Sequence, residues 1–125
     1  MRRLALLLCL AAAACGAEVR TEVPIGQWGG RNIDMQVGDT GASVAFKCGA
    51  SGLLEGHLVM DGRGHFEANG TFLPQLVTGG PRRVRYQGSV SGDQMSLLIT
   101  EPAGSAIGSF VLVYRAQGHF DVCNF

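Results

Sequence analysis

Arg83-Val84-Arg85-Tyr86-Gln87-Gly88-Ser89-Val90-Ser91-Gly92-Asp93-Gln94-Met95-Ser96-Leu97-Leu98-Ile99-Thr100 is the stretch that decides the fold. Val84, Tyr86, Gly88 and Val90 alternate with polar residues, and beyond Gly92-Asp93 the alternation resumes with Met95, Leu97 and Ile99. A period of two puts every second side chain on one face of a pleated strand, and Gly-Asp between two such runs is where a hairpin turns. Two half-buried strands cannot enclose a core alone, so neighbours of the same kind are required.

Those neighbours stand on both sides. Downstream, past Glu101-Pro102-Ala103-Gly104-Ser105, Phe110, Leu112 and Tyr114 share one face, and a last short segment covers residues 118–123. Upstream, Ile33, Met35 and Val37 oppose Asn32, Asp34 and Gln36. Val44, Phe46 and Cys48 form the inward face of the next strand after Gly38-Asp39-Thr40-Gly41. Residues 53–60 and 65–72 are expected to pair across Asp61-Gly62-Arg63-Gly64, Met60 opposite His65, with Phe66, Ala68, Gly70 and Phe72 inward. Residues 73–81, with Pro74, Gly79, Gly80 and Pro81, form the longest irregular connection. No window of ten residues keeps a helical period with caps. Short strands at this spacing predict an all-β fold, a small antiparallel meander β-barrel of about eight strands, with a β-sandwich as the alternative.

The ends of the chain speak of export. Met1-Arg2-Arg3 precedes an apolar run from Leu4 to Ala14, too short to span a bilayer of about 30 Å. That is the pattern of a signal peptide, residues 1–14, which lies outside the fold. Ala12-Ala13-Ala14-Cys15 resembles a bacterial lipobox, with Ala12 where Leu is usual, and the resemblance implies a lipid on Cys15. Cleavage after Ala12-x-Ala14 by the other signal peptidase is the alternative. Residues 15–24 read as lipid-attachment Cys and tether, and residues 25–125 as the β domain. Of four cysteines, Cys9 leaves with the signal and Cys15 is the lipid candidate. Cys48 and Cys123 remain as an even pair in an exported chain, read as one disulfide against two unpaired buried thiols.

Composition narrows the function classes. Without Arg2 and Arg3, eight basic residues face ten acidic ones, a net charge of −2, which attracts no nucleic acid. About 110 residues make one domain with a single modest core. No cofactor signature is present, and a monomer is the expected state.

Gly26-Gln27-Trp28-Gly29-Gly30 opens the first strand. Gly-x-Trp at the head of a meander is similar to lipocalins and their calycin relatives, which implies Trp28 as a barrel plug with Arg115 stacked over it. The spacing also resembles a group of short bacterial exported proteins. These open with Gly-x-Trp-Gly-Gly and carry one Cys in the second strand and another at the carboxyl end.

Other candidates weigh less. His57, His65 and His119 lack carboxylates at ligand spacing and read as surface residues rather than a metal site. Arg82, Arg83 and Arg85 form the one basic cluster. They are either a solvated outer face or a binding surface for anionic headgroups or envelope polymer. Gly88-Ser89-Val90-Ser91-Gly92 puts Val90 where a nucleophile elbow needs its serine. The expectation is a non-catalytic envelope lipoprotein, outer-membrane-anchored or periplasmic, binding a protein or small-molecule partner. The alternative is a small hydrolase with its site at a barrel mouth. The bulk of Phe46, Phe66, Phe72, Tyr86, Met95, Leu97, Phe110 and Leu112 argues for a filled interior.

Overall fold

The computed structural model describes residues 20–74 and 79–123; the signal segment and Cys15 lie outside them. Ten strands form in chain order: β1 (Thr21–Glu22), β2 (Gly26–Gly30), β3 (Ile33–Val37), β4 (Gly41–Phe46), β5 (Ser51–Glu55), β6 (Val59–Met60), β7 (His65–Leu73), β8 (Arg82–Ser91), β9 (Gln94–Thr100) and β10 (Ala106–Tyr114). Eight of them close an antiparallel barrel in the order β10-β2-β3-β4-β5-β7-β8-β9, while β1 and β6 pair separately. The meander is a barrel and not a sandwich. Tyr114 opposite Trp28 and Val113 opposite Gly29 make the closing seam.

Alternation places the core as expected. Ile33, Met35, Val37, Val44, Phe46, Phe66, Ala68, Val84, Tyr86, Met95, Leu97, Ile99 and Leu112 are all buried. Three inward glycines explain how so narrow a barrel holds its aromatics. The Phe66 ring lies where a Cβ on Gly88 would stand, and the Tyr86 ring and hydroxyl occupy the equivalent space at Gly70 and Gly52. Tyr86 donates its hydroxyl to the Thr71 carbonyl at 2.7 Å, which satisfies the one polar atom this ring brings inside. Burial holds its phenol above the ordinary range. At Gly70 a Cβ would come within 1.9 Å of the Leu53 carbonyl oxygen, so backbone has to move. Gly70→Ala is therefore expected to destabilise the domain by about 1–3 kcal/mol, the range for overpacking, in urea unfolding. A midpoint unchanged from the parent would refute this packing account.

Four expectations are corrected. Residues 53–60 do not form one arm of a long hairpin. Only Ser51 to Leu54 pair with β7, Leu54 opposite Gly70, and the chain then leaves the barrel. The register is one residue away from Met60 opposite His65, because Leu54 and Gly70 both face inward and a strand pair must share its faces. Second, the fold begins before Ile25: β1 pairs with β6, and Val23 is buried, donating its N–H to the Leu58 carbonyl at 3.0 Å. Third, Cys48 is not in a strand but in a short 3-10 turn at Lys47–Gly49, with φ of 65°. Fourth, residues 118–123 form no barrel strand. They run as a strap over the outer faces of β2 and β3, bridging to the turn between them at Arg31–His119, where His119 donates its N–H to the Gly30 carbonyl at 3.1 Å and accepts from the Asn32 N–H at 2.7 Å.

The strap explains Gly29, and the close approach of β10 explains Gly30. A Cβ on Gly29 would lie 2.4 Å from the Gly118 nitrogen, and one on Gly30 would lie 2.0 Å from the Val111 carbonyl oxygen. Gly118 donates to the Asp34 carboxylate at 2.9 Å, and Asp121 accepts from both Asn32 and Arg31 at 3.1 Å. These two donors, Asn32 first, hold the Asp121 carboxyl below its usual range. The strap ends in the Cys48–Cys123 disulfide, which joins residues 75 apart in sequence.

Candidate functional site

The barrel has two unlike ends. Turns 31–32, 47–50 and 101–105 lie at one, with the strap's end and the Phe46 ring, which packs on Phe72 at 5.4 Å and on Phe110 at 5.3 Å. The other end is lidded. There β1 and β6 lie across the opening, Leu58 and Val23 are buried under them, and Trp28 donates its indole N–H to the Pro24 carbonyl at 3.0 Å. Trp28 is fully buried and packs on the Tyr114 ring, centroids 4.8 Å apart. The Arg115 guanidinium lies over Tyr114, 5.2 Å from its centroid, so the cation stacks on the tyrosine rather than on Trp28. Arg115 turns the chain back at φ of 65°, and that turn aims its side chain.

His57 ties the lid down. Its Nδ1 lies 2.9 Å from the Asp39 carbonyl and its Nε2 lies 3.0 Å from the Glu22 carboxylate. The Asp39 hydrogen bond, supported by the Glu22 charge, raises the imidazole pKa above its ordinary value. A raised folded-state pKa means the protonated contact contributes in full below the unfolded value. The contribution fades as pH rises through the folded one. The protection factors of the Glu22 and Val23 amides, which remove the intrinsic base catalysis of exchange, are therefore expected to fall from pH 5 to pH 8, and His57→Ala to remove that fall. An unchanged pH dependence in this variant would place the titrating group elsewhere.

His57 is thus not opposite Ala68, as the expected register implied. His65 begins β7 and His119 sits in the strap; among the described residues no three ligating side chains gather for a metal. The basic cluster is neutralised. Arg82 meets Glu101 at 3.3 Å, Arg83 meets Glu55 at 2.8 Å and Arg85 faces Glu67 at 3.9 Å. Exposed pairs of this kind contribute little stability. They do cancel the charge that an anionic ligand would need.

The interior is occupied by side chains, and the concavities lie outside it. One groove of about 540 Å³ runs over the outer wall of β7 to β10. His65, Ser89, Ser96 and Val111 form one cross-strand row, and Glu67, Gln87, Leu98 and Ser109 form the next. Its floor is shallow because the outward serines leave little above the backbone. Small hydroxyls beside Leu98 and Val111, the latter 53% exposed, suit a partner with both apolar and hydrogen-bonding groups. The sequence signal was present in the run of outward serines, but only the register puts them side by side. Compared with known proteins, the chain matches no family model, no curated protein and no solved structure.

Proposed function

We propose that the chain is a non-catalytic exported module of the bacterial cell envelope, tethered by a lipid on Cys15, which binds a protein or small-molecule partner on its outer wall. The observation that carries this reading is the contrast between a barrel interior filled by Trp28, Tyr86, Met35, Met95 and Ile99 and a groove open on the β7–β10 face. A filled barrel leaves binding to its outer surface. The lipobox-like Ala12-Ala13-Ala14-Cys15 and the apolar leader support the address.

Affinity capture from native envelopes with the mature protein, analysed by mass spectrometry for proteins and small molecules, tests the reading. A specific partner lost with Leu98→Arg and Ser96→Arg is the expected result. A partner held equally by both variants would place binding elsewhere.

One observation favours the hydrolase alternative: the groove brings Ser89 opposite His65, with Glu67 two residues along the same face. Against it, Glu67 is engaged by Gln87 at 3.2 Å and Arg85, and so does not orient the imidazole as a catalytic triad requires. Covalent labelling of Ser89 by a fluorophosphonate would decide for the enzyme.

A further inference from the structure

We infer that the lidded end of the barrel is the end turned to the lipid surface, and that the disulfide end and the strap point away from it. This rests on the reading of Cys15 as the lipid-bearing residue. The clamp supplies the geometry. Thr21 and Glu22 pair with Met60 and Val59, Val23 donates to Leu58, Pro24 accepts from Trp28, and Glu22 meets His57. The chain is therefore bound to the lidded end from Thr21 onward.

Two lengths then decide the orientation. Cys15 stands six residues before Thr21, so the connection reaches at most about 20 Å when fully extended. β8 has ten residues, and with the tilt of an eight-stranded barrel it spans about 25 Å from end to end. The tether is shorter than the barrel, so inversion would drive the far end into the bilayer. Charge does not produce this arrangement. Glu22, Asp39, Asp61 and Asp93 stand at the lidded end with Arg20, Arg63, Arg115 and His57, a set with no strong attraction to anionic lipid.

The consequence is a division of the surface. The turns at residues 38–41, 61–64 and 92–93 face the bilayer. Phe120 and Val122, the latter 84% exposed, face outward with the Lys47–Gly49 turn, and the β7–β10 groove lies on the side wall.

Two added tryptophans test this in the acylated protein. A Cβ on Gly62 meets open space, and Val122 is almost fully exposed, so Gly62→Trp and Val122→Trp leave the packing alone. Each is reconstituted into phosphatidylethanolamine–phosphatidylglycerol vesicles carrying a dansyl headgroup, and energy transfer from the added tryptophan is obtained by difference from the parent. Transfer from Gly62→Trp at least about two-fold above that from Val122→Trp is expected from the length of the barrel. Equal transfer, or more from Val122→Trp, overturns the orientation while leaving the anchor intact. Absence of an acyl mass on Cys15, or transfer unchanged by Cys15→Ser, overturns the anchor and the orientation together.

Discussion

Trp28→Ala is expected to destabilise the domain by about 3–5 kcal/mol, the range for removing a fully buried large aromatic. Small domains have about 5–15 kcal/mol in total, so the substitution removes a large share of the stability. Three losses coincide at this residue. The indole fills the barrel beneath the lid, it packs at 4.8 Å on Tyr114, and its N–H satisfies the Pro24 carbonyl. Trp28→Phe separates them, since it keeps a ring beside Tyr114 but loses the hydrogen bond, typically worth about 1 kcal/mol. Urea unfolding followed by circular dichroism measures both. A loss below about 1 kcal/mol for Trp28→Ala would show that the lid does not depend on the plug.

Removing the disulfide is the second large effect. Bridging residues 75 apart restricts the unfolded chain by about 4–5 kcal/mol in the entropy model, and native disulfides in small exported domains are typically worth about 2–5 kcal/mol. Cys48→Ala/Cys123→Ala is expected to fall in that range. The same variant should also change which part opens first. Once the cross-link is gone, the strap holds through the two backbone bonds of His119 with Gly30 and Asn32 and through exposed or half-buried side-chain bonds, those of Asp121 with Arg31 and Asn32 and that of Gly118 with Asp34. Amides of Gly118, His119 and Asp121 should then exchange well before those of β7 and β8. Coincident exchange would mean that the strap and barrel form one cooperative unit. Because Asp121 is held below its usual pKa, its share is present above the unfolded value and lost as pH falls through the folded one.

The parts of the fold legible in the sequence are those set by alternation. Residues 83–100 form the β8–β9 hairpin they suggested, with Tyr86 opposite Ile99 and Val90 opposite Met95. The Cys48–Cys123 pair followed from counting thiols in a chain whose leader reads as an export signal, and it is present. The candidate site was much less legible. Ser89, Ser96 and Ser109 lie on three strands, and only the cross-strand register shows that they line one groove. Arg83 and Arg85 looked like a free basic face, because their partners Glu55 and Glu67 come from other strands, β5 and β7.

What the sequence by itself determined is therefore periodic: which side chains face inward along the strands that alternate, where most of the hairpins turn, and an all-β meander with one disulfide, while closure into a barrel rather than a sandwich waited on the seam between β10 and β2. Period two is a local property of the backbone, so neighbouring residues suffice to reveal it. What only the tertiary structure decided is everything carried by contacts distant in sequence. The early exit of the chain after Glu55, the clamp of Thr21–Glu22 on Val59–Met60, and the seating of Arg115 on Tyr114 are of this kind. So is the strap that requires glycine at position 29. Each depends on steric fit between segments whose approach no local pattern encodes, because register and close packing arise only when the barrel shuts.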